Sequence, residues 1–232
     1  DVAPRGPWAA VRRVCPGGST SAMRPLLAAL SLSYLVGAIP TAFLLVKQLK
    51  GMDIRTVGSG NVGATNALRA AGLKVGVIVF LLDGLKGWLP AVVLAPFMLR
   101  PLTLDVQLAV GLAAVVGHAF PVFLNFRGGK GVATTIGALL GAMPGVTALG
   151  LAVWVILFAM WRYVSVGSLG FAVTVPIVQW LTHQTPTQVM LGLAFSILMI
   201  ARHGANIERL LHGKESRLSL GRDKGSGTSS PR

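Results

Sequence analysis

Three polar stretches interrupt an otherwise apolar chain, and their residue types suit phosphate binding. The first runs Val57-Gly58-Ser59-Gly60-Asn61-Val62-Gly63-Ala64-Thr65-Asn66-Ala67-Leu68-Arg69. Gly58, Gly60 and Gly63 allow tight turns and close backbone approach to a ligand, and successive N–H groups in such a loop form an anion-favouring concavity. Ser59, Asn61, Thr65 and Asn66 add hydrogen-bonding groups, and Arg69 adds a planar charged fork. A flexible polar loop is the alternative; this density of donors favours a phosphate site. The second stretch is Gly117-His118-Ala119-Phe120-Pro121, then Phe126-Arg127-Gly128-Gly129-Lys130-Gly131. It resembles half of a nucleotide P-loop. That loop needs a Gly five residues before the Gly of the Gly-Lys pair, and a Ser or Thr after the lysine. Leu124 and Gly131 stand there instead, so a nucleotide P-loop is rejected. A simpler cradle remains, with Lys130 as its point charge. His118 fits a structural or a catalytic role equally. The third stretch, Arg202-His203-Gly204-Ala205-Asn206-Ile207-Glu208-Arg209-Leu210, extends to Gly213 and Glu215. On a helix His203 and Asn206 share a face; the alternative is a basic segment that binds anionic headgroups.

The elements that must position these residues are membrane helices. Only 12% of the 232 residues are charged and mean hydropathy is +0.69, whereas soluble domains carry roughly 25% charge. Too few charges remain to coat a soluble surface, which excludes a disordered chain, an ordinary soluble enzyme and a disulfide scaffold. Seven apolar segments are read at about 26–46, 75–99, 106–124, 132–146, 147–162, 165–182 and 186–201. Asp83 and Lys86, three apart inside the second, are read as a structural ion pair in preference to a catalytic one, since charge within a span is costly and usually paired. Gly137, Gly141 and Gly145 at fourfold spacing, and Gly72 with Gly76, read as helix-packing positions.

A net charge of +14 raises nucleic-acid binding, but no basic helix with interleaved aromatics tracks a phosphate backbone. The basic residues fall on alternate connections: Lys47, Lys50, Arg55, Arg69 and Lys74; then Arg127 and Lys130; then Arg162; then the C-terminal segment. Positive loops stay inside, so the expected fold is an all-α integral membrane protein of seven transmembrane helices, some short. Its N-terminus lies outside and its C-terminus in the cytoplasm. Residues 1–22, with Arg5, Arg12 and Arg13, fit this poorly and are read as a non-native or disordered extension before Met23. Residues 23–213 form the membrane domain, and 214–232 a disordered polar tail.

The motifs resemble those of the bacterial acyl-phosphate:glycerol-3-phosphate acyltransferases, the PlsY family. Gly58-Ser59-Gly60-Asn61 through Arg69, Gly128-Gly129-Lys130-Gly131, and Arg202-His203 with Asn206-Ile207 carry the likeness. Asp83-Gly84-Leu85-Lys86-Gly87 and Gly117-His118-Ala119-Phe120-Pro121 support it, over about Met23 to Glu215. The resemblance implies a multi-pass enzyme of the bacterial plasma membrane whose site faces the cytoplasm. It would transfer an acyl group from acyl phosphate to the 1-hydroxyl of sn-glycerol 3-phosphate. The products would be lysophosphatidic acid and phosphate, in the first step of phospholipid synthesis, with no cofactor and no metal. The partners are then these substrates and membrane lipid, not nucleic acid.

An acyl phosphate already carries an anionic leaving group, so the site must polarise a carbonyl and neutralise phosphate charge. Arg69 and Lys130 suit the two phosphates. The glycine loops, with Asn61, Thr65, Asn66 and Ser168, would supply further contacts. The acceptor proton goes either to His203 or to the acceptor's own phosphate, with His203 and Asn206 then orienting substrate. Ser59 is read as a hydrogen-bonding group rather than a nucleophile. Ser165, Glu215 and His118 are further candidates. The alternative from another class is a transporter or channel for an anionic solute, which predicts polar residues at mid-membrane depth and an internal repeat; no repeat is present.

Overall fold

The computed structural model describes residues 18–218, and within them every regular element is helical. The helices are α1 (Gly18–Ala38), α2 (Thr41–Lys50), α3 (Ala64–Ala71), α4 (Leu73–Leu89), α5 (Ala95–Met98), α6 (Leu104–Ala119), α7 (Val132–Ala142), α8 (Pro144–Trp161), α9 (Val164–Leu181), α10 (Pro186–Arg202) and α11 (Gly204–Leu211). Each of the seven apolar segments coincides with helix, and prolines set the breaks. The first segment stops at Ala38 and resumes at Thr41 after Pro40. In the second, Pro90 lacks an N–H and opens a π-turn, Pro90–Leu94, that joins α4 to α5, the local widening by which a helix absorbs such a residue. Pro144 begins α8, where its fixed φ is favourable. The division between the fourth and fifth segments therefore falls at Met143, earlier than the expected 146.

Among the described residues, five helical stretches are long and apolar enough to cross a membrane, or up to six if α10 and α11, bent by 58°, form one span. Helix α7, at 11 residues, reaches only about 16 Å at 1.5 Å per residue, roughly half of the hydrocarbon thickness. It is held by contact with α4. A Cβ on Gly137 would stand 1.9 Å from the Gly84 carbonyl oxygen, so the two backbones touch, as small residues permit in lipid. Gly141 lies against the side chains of Val92 in the π-turn and Trp88 of α4, whereas Gly145 faces open space. Phe171, Phe195, Leu139 and Met199 fill the core between α7, α9 and α10.

Of the expected N-terminal extension, residues 1–17 lie outside the described residues, and α1 begins at Gly18. Of the tail expected to be disordered from residue 214, residues 214–218 lie against the bundle. Leu218 N–H donates to the Arg162 carbonyl at 2.9 Å.

Candidate functional site

The first polar stretch folds around one amide. Asn66, in the first turn of α3, donates through Nδ2 to the carbonyls of Ile54 at 3.1 Å and Val57 at 3.0 Å, and its Oδ1 accepts the Ser59 N–H at 3.1 Å. Gly58 and Gly60, with φ of 59° and 67°, occupy the left-handed region that glycine adopts without strain, so the chain doubles back over Asn66. This leaves Ser59, Asn61, Gly63, Thr65 and Arg69 on the wall of a cavity of about 490 Å³. Asn66 reaches that wall but spends its amide on the loop, and Gly58 and Gly60 turn the chain without lining the cavity.

The second stretch divides in the same way. Gly128 N–H donates to the Ala119 carbonyl at 3.2 Å and Gly129 N–H to the His118 carbonyl at 3.1 Å. Arg202 holds the opposite edge, from Nη2 to the Gly128 carbonyl at 2.9 Å and from Nε to the Gly129 carbonyl at 3.1 Å. The two glycines are therefore packing residues whose N–H groups are already used, not the open cradle the sequence suggests. Lys130 and Gly131 reach the cavity.

The third stretch meets the second there. Helix α10 ends at His203, which is 2% exposed, with Nδ1 2.8 Å from the Met199 carbonyl. A carbonyl only accepts, so Nδ1 carries the proton and Nε2 is left for other work. Asn206 accepts from Lys130 Nζ through Oδ1 and donates to Glu215 Oε1 at 2.6 Å. Glu215 Oε1 also accepts from Ser165 at 2.8 Å, and Oε2 accepts from Arg209 Nε at 2.8 Å. Arg69 Nη2 reaches the Ser216 carbonyl at 3.4 Å. Ser168 lines the cavity with its hydroxyl on the Val164 carbonyl at 2.8 Å. His118 and Asp83 also line it, and Asp83 pairs with Lys86 at 2.9 Å, the ion pair expected from their spacing.

Burial, with help from the nearby Arg209, Arg69 and Arg202 charges and against the pull of Glu215, lowers the Lys130 ammonium to about 8. Glu215 is held below its ordinary range: burial works to raise it, but hydrogen bonds from Asn206, Arg209 and Ser165 outweigh that. The cavity thus has a cationic, donor-rich end. Its remaining wall is apolar, built by Val77 and Phe80 of α4, Ile136 of α7, and Leu151 and Val155 of α8. Trp154 also lines the cavity, its Nε1 donating to Ser168 at 3.4 Å. Arg209 and Trp154 were not singled out in the sequence. Arg209 had a legible signal, since it lies three residues from Asn206 on one helical face. Trp154 had none.

The sequence model of the family described as Glycerol-3-phosphate acyltransferase matches residues 27–213. A glycerol-3-phosphate acyltransferase of Syntrophotalea carbinolica is 45% identical over 186 residues, 80% of this chain and 93% of the relative. One of Myxococcus xanthus is 46% identical over 186 residues, 80% of this chain and 96% of the relative. Among solved structures, the glycerol 3-phosphate form of PlsY, an integral membrane glycerol 3-phosphate acyltransferase, superposes with a TM-score of 0.78 at 39% identity. It covers 84% of this chain and 96% of its own. The lysophosphatidic acid form of PlsY gives 0.75 at 39% identity, with 84% and 95% covered.

Proposed function

The chain belongs to the glycerol-3-phosphate acyltransferase family, and from that premise we propose how its cavity works. It is a membrane acyltransferase that acylates glycerol 3-phosphate to lysophosphatidic acid. The donor in this reading is an acyl phosphate. The acceptor 1-hydroxyl oxygen forms a bond to the acyl carbon, the bond from that carbon to the phosphate oxygen breaks, and inorganic phosphate leaves with the electron pair. Lys130, Arg69 and Arg209 neutralise phosphate charge in this scheme, with Ser59, Asn61, Gly63 and Thr65 as donors around them. Charge developing on the leaving phosphate is then met by groups already in place. The hydroxyl proton passes to the acceptor's phosphate or to His203 Nε2.

One observation carries the proposal: the cationic end and the apolar wall belong to one cavity. A phosphate head fits the first and an alkyl chain the second. A transporter for a small anion has no use for the apolar wall. The charge asymmetry of the connections supports seven spans, an outside N-terminus and a site facing the cytoplasm. In this arrangement α7 is a short element lodged against α4. The test is the full chain purified in detergent and given labelled glycerol 3-phosphate with palmitoyl phosphate or palmitoyl-CoA. Lysophosphatidic acid formed from the acyl phosphate alone supports the reading; equal or better rates with the CoA thioester overturn the donor.

A further inference from the structure

Lys130 follows two glycines, and although its Nζ donates to Asn206, where its backbone stands over the cavity depends on what holds that turn. Arg202 holds the carbonyl edge. The other edge rests on His118, in the last turn of α6. A Cβ on Gly129 would stand 2.1 Å from His118 Nε2, and one on Gly128 would stand 2.1 Å from the His118 carbonyl oxygen, so the turn is seated on both the ring and the backbone of His118. The ring is buried, its Nδ1 has no hydrogen-bond partner among the described residues, and the Asp83 carboxylate lies 3.7 Å from it. Asp83 in turn accepts from Thr41, the first residue of α2, and pairs with Lys86, whose Nζ donates to the Ile39 carbonyl at 2.8 Å. Four elements converge: the α1–α2 break, α4, the end of α6 and the lysine turn.

We propose that His118, backed by the Asp83–Lys86 pair, is a positioning residue that seats the Gly128–Gly131 turn and so sets where Lys130 meets the substrate phosphate. The inference rests on the acyltransferase reading only for its kinetic test. The ion pair alone explains how two charges survive in a membrane helix. It does not explain why the ring of His118 stands between that pair and Gly129.

The experiment is a double-mutant cycle with His118→Ala and Lys130→Ala in the full chain. Residues acting through one another give non-additive losses. His118→Ala should raise the same KM that Lys130→Ala raises, by roughly tenfold, and should add little to the Lys130→Ala enzyme. A second variant guards against misfolding. Asp83→Asn with Lys86→Met removes both charges at similar volume, which buried pairs often tolerate. It should insert normally yet raise that KM. An activity-independent readout is labelling of Lys130 by an amine-specific reagent, read by mass spectrometry. It should change at least about threefold in His118→Ala, as expected for coupled neighbours, and not in Leu193→Ala at a lipid-facing position. Additive losses, unaltered KM values in both variants, or unchanged labelling would each overturn the proposal. Inactive wild-type protein with altered labelling would overturn the acyltransferase reading and leave this one standing.

Discussion

Raising the pH should disarm the cavity by removing one proton from Lys130. Its ammonium is lowered to about 8 by burial and neighbouring cations. A lowered lysine loses charge as pH rises through that value, so anion binding weakens above it and is retained below. At pH 9 about one lysine in eleven keeps its proton, and kcat/KM, which reports ionisations of the free enzyme, should have fallen roughly tenfold from its neutral plateau. Phosphate monoesters lose their second proton near pH 6, so the substrate contributes no slope above about pH 7.5. A charge-assisted hydrogen bond is worth about 1.5–3 kcal/mol, so Lys130→Ala should reduce kcat/KM by about ten- to a hundredfold at neutral pH and flatten the profile. Lys130→Arg should keep part of the activity and carry it above pH 9, because a guanidinium stays protonated there. The assay is initial-rate acylation between pH 7 and 9.5. A flat wild-type profile, or an unchanged decline in Lys130→Arg, would refute the reasoning.

Glu215→Gln removes the carboxylate that supports the Lys130 charge, so the midpoint of the alkaline fall should move from about pH 8 to a lower pH, read from the same profiles. His203→Ala separates two proton routes: turnover falls about 10²–10⁴-fold if His203 is the base, whereas a raised KM for glycerol 3-phosphate marks an orienting role. Unchanged kinetics would remove His203 from the site. Asn66→Ala strips the loop of three hydrogen bonds and should cost about 1–3 kcal/mol of stability per stranded buried group, seen as a lower detergent melting temperature together with lost activity. Gly129→Ala should abolish activity, because its Cβ would meet His118 at 2.1 Å, whereas Gly145→Ala should be silent in open space.

The helices were legible because their signals are local. Hydropathy located each apolar run, and Pro40, Pro90 and Pro144 mark breaks that follow from a missing N–H. The Asp83–Lys86 pair followed from spacing and the cost of charge in lipid. A short fourth segment is expected from the sequence, but its end is not: Met143-Pro144-Gly145 sits between two apolar stretches with no polar loop, and α7 stops at Ala142 rather than 146. At the site, the sequence named residue types suited to phosphate but not which groups were already spent. The N–H groups of Gly128 and Gly129 look free until the end of α6 is brought against them. Asn66 looks like a ligand until Ile54 and Val57 close on it. Glu215 gains its partners Ser165 and Arg209 from separate helices, a convergence that no local pattern encodes.

The central claim is that one cavity takes the phosphate at its cationic end and the acyl chain along its apolar wall. Photolabelling tests it most directly, using lysophosphatidic acid with a diazirine midway along the chain, mapped by mass spectrometry on the purified protein. The account places the label on Val77–Phe80 of α4 or Leu151–Val155 of α8. Glycerol 3-phosphate together with acyl phosphate should compete it away. Labelling elsewhere on the bundle, or labelling at those helices that the substrates fail to displace, would contradict it.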